Sequence, residues 1–188
     1  MKRSIFTLLT VLLLNGCYSH KKALELGIPY NQQINWPTAY QLDKTEFYIH
    51  NRIDINTSPE IVWNILIQAE KWPDWYTGMS QVSVVNAEDG ILRSNSKMEF
   101  NTMERNFQGT IKEFKPYERL AWETVNEKLN AYHAWLIVPT EKGCRVITDE
   151  SQYGKLARLQ TTFVPNKLKK LHDIWLEKLK EKAEAENQ

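Results

Sequence analysis

A series of strand-like runs followed by one long amphipathic segment constrains the fold of this sequence most strongly. Phe47, Ile49, Ile53 and Ile55 alternate with more polar residues, and this period of two indicates a strand with one buried face. Six further strand-like runs lie at about residues 80–87, 94–103, 106–115, 119–126, 131–139 and 144–153. Their separators are short and rich in turn residues, so we expect antiparallel neighbours.

Helical signals stand on both sides of these six runs. Thr57 and Glu60 fit a capping box, or Ser58 caps with Pro59 at the first helical position, and the helix is expected to end near residue 68. A Trp-Pro-Asp-Trp segment at residues 72–75 then breaks or restarts it. These signals predict two short helices after the first strand.

The C-terminal segment has the pattern of a long amphipathic helix. Leu168, Leu171, Trp175 and Leu179 recur at helical spacing, and lysines lie mostly off this stripe. Pro165 either kinks the helix or marks its start. We predict an α+β domain whose antiparallel sheet of about seven strands is partly covered by this helix. A curved sheet around a helix leaves space between them, and such space is often a ligand cavity.

The N-terminus has the pattern of a secretion signal. Lys2 and Arg3 precede an apolar run over residues 5–14, which is too short to span a bilayer. Leu-Asn-Gly-Cys at residues 14–17 follows and resembles the lipobox of bacterial lipoproteins, which implies a diacylglycerol anchor on Cys17. The alternative is a plain signal peptide with an incidental cysteine.

We therefore divide the chain into a signal peptide at residues 1–16, a lipidated Cys17 with a tether over residues 17–45, and a domain over residues 46–186. The expected location is the bacterial cell envelope, with the protein lipid-anchored. In a host with two membranes, Tyr18 after the cysteine resembles outer-membrane sorting, and the domain would face the periplasm.

Four motifs in order carry a second resemblance. They lie at residues 55–63, 72–75, 133–139 and 143–154. Together they resemble the START-like, or SRPBCC, superfamily, which includes the birch-pollen allergen, lipid-transfer domains and polyketide cyclase-like proteins. The resemblance covers about residues 46–182 and implies the helix-grip fold, in which a curved antiparallel sheet wraps around a long C-terminal helix.

The resemblance also implies which side chains surround the space between sheet and helix. The candidate ligand-binding residues are Trp75, Tyr76, Phe100, Trp122, His133, Trp135, Glu150 and Trp175. The aromatic members are either a tryptophan-rich core or the lining of a pocket for a flat or long apolar ligand. His133 is the histidine in phase with the inward-facing residues, and it and Glu150 are the candidates for acid–base chemistry, with structural roles as the alternative.

Other function classes are disfavoured by composition. The 24 basic and 23 acidic residues argue against a nucleic-acid partner that is bound through a basic field. If Cys17 is lipidated, Cys144 is alone, so no disulfide and no cysteine-based metal site is expected, and we predict no metal and no cofactor.

Three functions remain open. The first is a non-enzymatic binding protein or carrier for a hydrophobic small molecule or lipid. The second is an interaction or envelope-maintenance module with a closed core. The third is a cyclase or dehydratase in which His133 or Glu150 is essential. The fold alone does not choose among them, because one fold hosts many activities.

Overall fold

The computed structural model describes residues 21–85 and 87–186. Within these ranges the helices are α1 (residues 21–31), α2 (Pro59–Leu66), α3 (Trp72–Trp75), α4 (Lys155–Phe163) and α5 (Lys167–Ala185), with 3-10 turns at Thr38–Tyr40 and Ala69–Lys71. The strands are β1 (Phe47–Ile55), β2 (Met79–Val85), β3 (Lys97–Thr102), β4 (Arg105–Lys115), β5 (Arg119–Val125), β6 (Asn130–Thr140) and β7 (Gly143–Tyr153). None of the helices in these ranges has the length and apolar character needed to cross a bilayer.

The strands of the described ranges form one antiparallel sheet in the order β1-β7-β6-β5-β4-β3-β2. Short connections pair each strand from β2 onward with the next, and β1 completes the sheet beside β7. Register irregularities lie between Ser80 and Ser83 of β2 and between Ile111 and Glu113 of β4. Such irregularities bend and twist a strand, so they favour the curvature that wraps the sheet around α5.

The fold predicted from the sequence is confirmed. The chain shows the expected order of one strand, two short helices, six strands and a long C-terminal helix. Pro165 lies between α4 and α5, so it separates a first helical segment from the long helix that follows. The helix after β1 ends at Leu66, slightly earlier than the sequence predicted.

A tryptophan-rich core fills one end of the space between the concave face and the helices. Trp72 of α3, Trp135 of β6 and Trp175 of α5 are almost fully buried. The Trp175 ring centroid lies 5.1 Å from that of Trp72 and 5.0 Å from that of Trp135. The Trp72 indole N–H donates to the carbonyl oxygen of Leu66 at 3.0 Å. Burial of these large side chains holds α3 and α5 on the sheet.

The convex face of the sheet is covered by the segment between α1 and β1. Ile34 and Tyr40 are buried against Tyr132 and Ala134. The Tyr40 hydroxyl donates to a carboxylate oxygen of Glu123 at 3.0 Å. The later part of the predicted tether therefore packs against the domain.

The predicted signal peptide and the lipidation site Cys17 lie outside the described residues. The same holds for the first residues of the predicted tether, up to residue 20. These sequence predictions stay predictions.

Candidate functional site

A cavity of about 370 Å³ lies between the concave face of the sheet and helices α4 and α5. Its apolar lining residues are Tyr76, Met79, Phe100, Met103, Phe107, Trp122, Leu129, Ala131, Leu156, Leu159, Phe163, Val164, Leu168, Leu171 and Trp175. Its polar lining residues are Thr102, Arg105, Thr124, His133, Glu150, Gln152, Gln160, Lys167 and His172. Apolar residues thus outnumber polar ones in the lining, as in many small-molecule sites.

The space exists because side-chain size changes along the concave face. Large rings such as Trp122 fill the end under α3, whereas Thr124 and Ala131 line the other end and are much smaller. Gly154 lets the chain turn there, with a φ of 112° that favours glycine. The turn places α4 across this end, and the Leu156 N–H donates to the Lys128 carbonyl oxygen at 2.9 Å.

The rim of the cavity is exposed, and its apolar part lies at the end of α4. Leu159, Phe163 and Val164 line the cavity and are also exposed, and Phe163 keeps 65% of its surface accessible. Arg105 and Lys167 also line the cavity, and both residues are exposed. The cavity therefore reaches the surface at a rim that combines apolar and basic groups.

Six of the eight candidate residues line this cavity: Tyr76, Phe100, Trp122, His133, Glu150 and Trp175. Two do not. Trp135 is buried in the core behind Trp175, and Trp75 of α3 is partly buried against the same core. Trp135 points to the expected face, but the space at its position is filled by other rings. A closed core, which the second function requires, would lack this cavity.

The polar centre of the cavity is formed by His133 of β6, Glu150 of β7 and His172 of α5. His133 and Glu150 are directly opposite each other in the β6–β7 ladder. Oε2 of Glu150 lies 3.3 Å from Nδ1 of His133 and 3.3 Å from Nε2 of His172. The two imidazole rings have centroids 4.6 Å apart. All three side chains are buried.

Neighbouring polar groups hold two members of this centre. The Thr148 hydroxyl lies 2.6 Å from Nε2 of His133. The Gln152 amide donates to Oε1 of Glu150 at 2.5 Å, and the Gln160 amide donates to Gln152 at 2.9 Å. These contacts orient Nδ1 of His133 and Oε2 of Glu150 toward the same point.

Burial and neighbouring charge determine the protonation of this centre. Burial, aided by the nearby His172, lowers the pKa of His133 to about 3, so its imidazole is neutral at physiological pH. Burial by itself would raise the pKa of Glu150, but contacts with His172, His133 and Gln152 outweigh it and hold this pKa below its usual range. The site therefore presents an ionised carboxylate beside a neutral imidazole. Burial and the charge of Glu150 also raise the pKa of Tyr76.

Sequence reasoning missed His172. His133 faces the cavity as expected, but His172 faces it as well and was not among the candidate residues. The signal was available, since His172 follows Leu168 by four residues and precedes Trp175 by three, the spacing of one helix face. The prediction of no metal site rested on the cysteines alone. It did not consider a cluster of histidines and a carboxylate.

Fold and cavity together define a helix-grip domain of the kind that binds hydrophobic ligands. Residues 47–184 match the family described as polyketide cyclase / dehydrase and lipid transport. The chain belongs to this family. A comparison with curated proteins gave no match.

Solved structures show the same fold. Hypothetical protein jhp0584 from Helicobacter pylori is 26% identical over 80% of this chain and 95% of that chain, with a TM-score of 0.75. The Zhui aromatase/cyclase from Streptomyces sp. R1128 is 9% identical over 75% of this chain and 95% of that chain, with a TM-score of 0.60. The di-domain ARO/CYC StfQ from the steffimycin biosynthetic pathway is 12% identical, with a TM-score of 0.63. The match covers 74% of this chain and about half, 52%, of StfQ.

Proposed function

We propose that this protein is a binding protein or carrier for a hydrophobic small molecule or lipid, and that Cys17 anchors it in the bacterial cell envelope. The observation that carries the proposal is the cavity of about 370 Å³ with its largely apolar lining. This volume falls within the roughly 300–1,000 Å³ of small-molecule sites. Lipid transport also stands in the description of the family.

The rim indicates the shape of the ligand. Phe163 and Val164 offer an apolar path into the cavity, and Arg105 and Lys167 provide positive charge beside it. A long apolar chain with an acidic end matches this arrangement, because the chain would lie in the cavity and the acid at the basic rim. A fatty acid is the simplest probe of this class.

The test of ligand binding starts with the purified protein. Organic extraction followed by mass spectrometry is expected to recover a hydrophobic compound at near-equimolar ratio. Added fatty acid is expected to change the tryptophan fluorescence, because Trp122 and Trp175 line the cavity. The corresponding fatty alcohol should bind more weakly, since it lacks the charge that Arg105 and Lys167 would meet. Empty extracts together with no response to any lipid or aromatic probe would refute the proposal.

The anchor has a separate test with a matched control. Cys17→Ser removes the proposed lipid attachment site, and Cys144→Ser removes the buried cysteine of the domain. We expect Cys17→Ser to leave the membrane fraction and to lose labelling by radioactive fatty acid. Cys144→Ser should keep both properties. Retention of Cys17→Ser on membranes would contradict the anchor without affecting the cavity.

Acid–base catalysis of the cyclase or dehydratase type is a second candidate. It is favoured by one observation, the buried His133–Glu150 pair inside an apolar cavity, where a carboxylate is costly unless it has a role. Glu150→Gln would then abolish turnover of a bound ligand while binding persists. A carrier would bind and release its ligand unchanged with either residue at position 150.

A further inference from the structure

Two imidazoles and one carboxylate meet in the cavity. His133 and Glu150 come from neighbouring strands, and His172 comes from the helix that crosses them. One potential ligand atom from each lies within 4.8 Å of the other two. Two histidines and one carboxylate are a common ligand set for catalytic Zn²⁺ and for non-haem Fe²⁺.

The distances from Glu150 fit a shared cation as well as they fit long hydrogen bonds. Oε2 of Glu150 is 3.3 Å from Nδ1 of His133 and 3.3 Å from Nε2 of His172. Most N–H···O hydrogen bonds are shorter, at about 2.7–3.2 Å. Ligand atoms at about 2.0–2.1 Å from a tetrahedral Zn²⁺ are themselves about 3.3 Å apart. Both contacts of Glu150 therefore already have the separation that a metal ion requires.

Outer contacts orient two of the three ligands. Thr148 lies 2.6 Å from Nε2 of His133, which leaves Nδ1 for a metal. Gln152 donates to Oε1 of Glu150, which leaves Oε2. Metal-binding histidines and carboxylates are held by such outer partners in most proteins. Nδ1 of His172 is buried and has no hydrogen-bond partner among the described residues.

Charge also favours a cation here. Among the described residues, Glu150 forms its ion-pair contacts with His133 and His172, and with no lysine or arginine. A buried carboxylate is costly unless nearby charge or hydrogen bonds compensate it. A divalent ion between the three side chains would compensate this charge, and neutral imidazole is the form that binds metals.

We propose that His133, Glu150 and His172 bind one divalent transition-metal ion of the Zn²⁺ or Fe²⁺ type. A further coordination position would face the cavity, where an oxygen atom of a bound ligand could reach it. The metal site goes beyond the proposed carrier function and does not depend on it. Its test uses metal alone. A negative result for metal binding therefore does not contradict the carrier function, and a negative result for ligand binding does not contradict the metal site.

The experiment is a titration of the chelator-treated full-length protein. Zn²⁺ is followed by calorimetry, and Co²⁺ is followed by its visible absorption, which reports the coordination geometry. We expect one ion per chain at the high-affinity site. Glu150→Gln and His172→Ala should each weaken binding by at least about 100-fold, since even outer-shell changes cost about 10–100-fold. Zn²⁺ should raise the melting temperature of the wild-type protein and not that of the variants.

His50→Gln is the matched control. His50 is also a buried histidine beside a carboxylate, but it lies on the convex face and contacts Asp149. This variant is expected to bind Zn²⁺ with wild-type affinity. Circular dichroism confirms that each variant is folded. The proposal is overturned if the wild-type protein binds no Zn²⁺ or Co²⁺, or if folded Glu150→Gln and His172→Ala bind both ions as tightly as wild type.

Discussion

Asp149 and Glu150 are adjacent in β7, point to opposite faces of the sheet and have different surroundings. On the convex face, Asp149 accepts a hydrogen bond from the Tyr48 hydroxyl at 2.6 Å and lies 2.7 Å from Nδ1 of His50. The ring of Tyr30 from α1 stacks on His50 with centroids 5.6 Å apart. His50 lies on the convex face of β1 and is buried there by the N-terminal segment.

On the concave face, Glu150 has longer contacts with its histidines and lies beside open space. Its histidine contacts are 3.3 Å long, and the residue lines the cavity. Burial raises the pKa of Asp149, although His50 and Tyr48 oppose this, whereas the contacts of Glu150 hold its pKa below the usual range. A buried carboxylate that is enclosed by its partners supports the fold, whereas one that also borders open space can serve a ligand.

The largest expected effect is that of Asp149→Ala. This change leaves Tyr48 and His50 buried without their shared acceptor. Loss of one partner from a buried cluster costs about 3–5 kcal/mol. We expect a decrease of about 4 kcal/mol in the free energy of unfolding, measured by urea denaturation. A decrease below about 1 kcal/mol would show that this cluster contributes little to the fold.

Removal of the convex cover has the next largest effect. Tyr40→Ala removes a buried ring that packs on Tyr132 and hydrogen-bonds to Glu123. Deleting a buried aromatic side chain costs about 3–5 kcal/mol, so we expect about 3 kcal/mol in urea unfolding. Ligand binding in the cavity should not change. A change in unfolding energy below about 0.5 kcal/mol would mean that the segment behaves as a free tether.

Glu150→Gln is expected to affect stability much less than Asp149→Ala. Glutamine keeps the shape of the side chain and removes the desolvation cost of a buried charge. We expect the free energy of unfolding to change by about 1 kcal/mol or less, in either direction, in the same urea experiment. A loss as large as that of Asp149→Ala would assign Glu150 to the structural class and remove the contrast between the faces.

The smallest effect on stability is expected at the rim. Phe163 is 65% exposed, so Phe163→Ser should change the free energy of unfolding by no more than about 0.5 kcal/mol. The same change should weaken binding of a fatty acid, because Phe163 lines the entrance of the cavity. Unchanged fatty-acid affinity would place the ligand path elsewhere.

The sequence predicts the sheet, the long helix and part of the site for a clear reason. Alternation fixes which strand residues share a face, so it places His133 and Glu150 together on the inward face of neighbouring strands. The same argument, applied with helical spacing to α5, places His172 on the buried face of the helix. The apolar residues of that face give the stronger signal. The segment between α1 and β1, which covers the convex face, has no period, so the pattern rules that place the strands do not apply to it.

The cavity itself could not be predicted from periodicity. Trp135 and Ala131 have the same phase in β6, yet one fills the core and the other lines open space. Whether space remains depends on the sizes of all facing side chains and on the position of α4. Those are properties of the packed molecule, and single-strand patterns do not contain them.

Two tryptophan substitutions on α5 test whether the ligand site lies between the sheet and this helix. Leu171 lines the cavity, whereas Ile174 lies one turn later and is exposed. The measurement is the affinity of the purified protein for a fluorescent fatty acid. Leu171→Trp should lower it at least about tenfold, a loss of about 1.4 kcal/mol, while Ile174→Trp keeps wild-type affinity. Equal affinities for the two variants and the wild-type protein would contradict a ligand site between the sheet and α5.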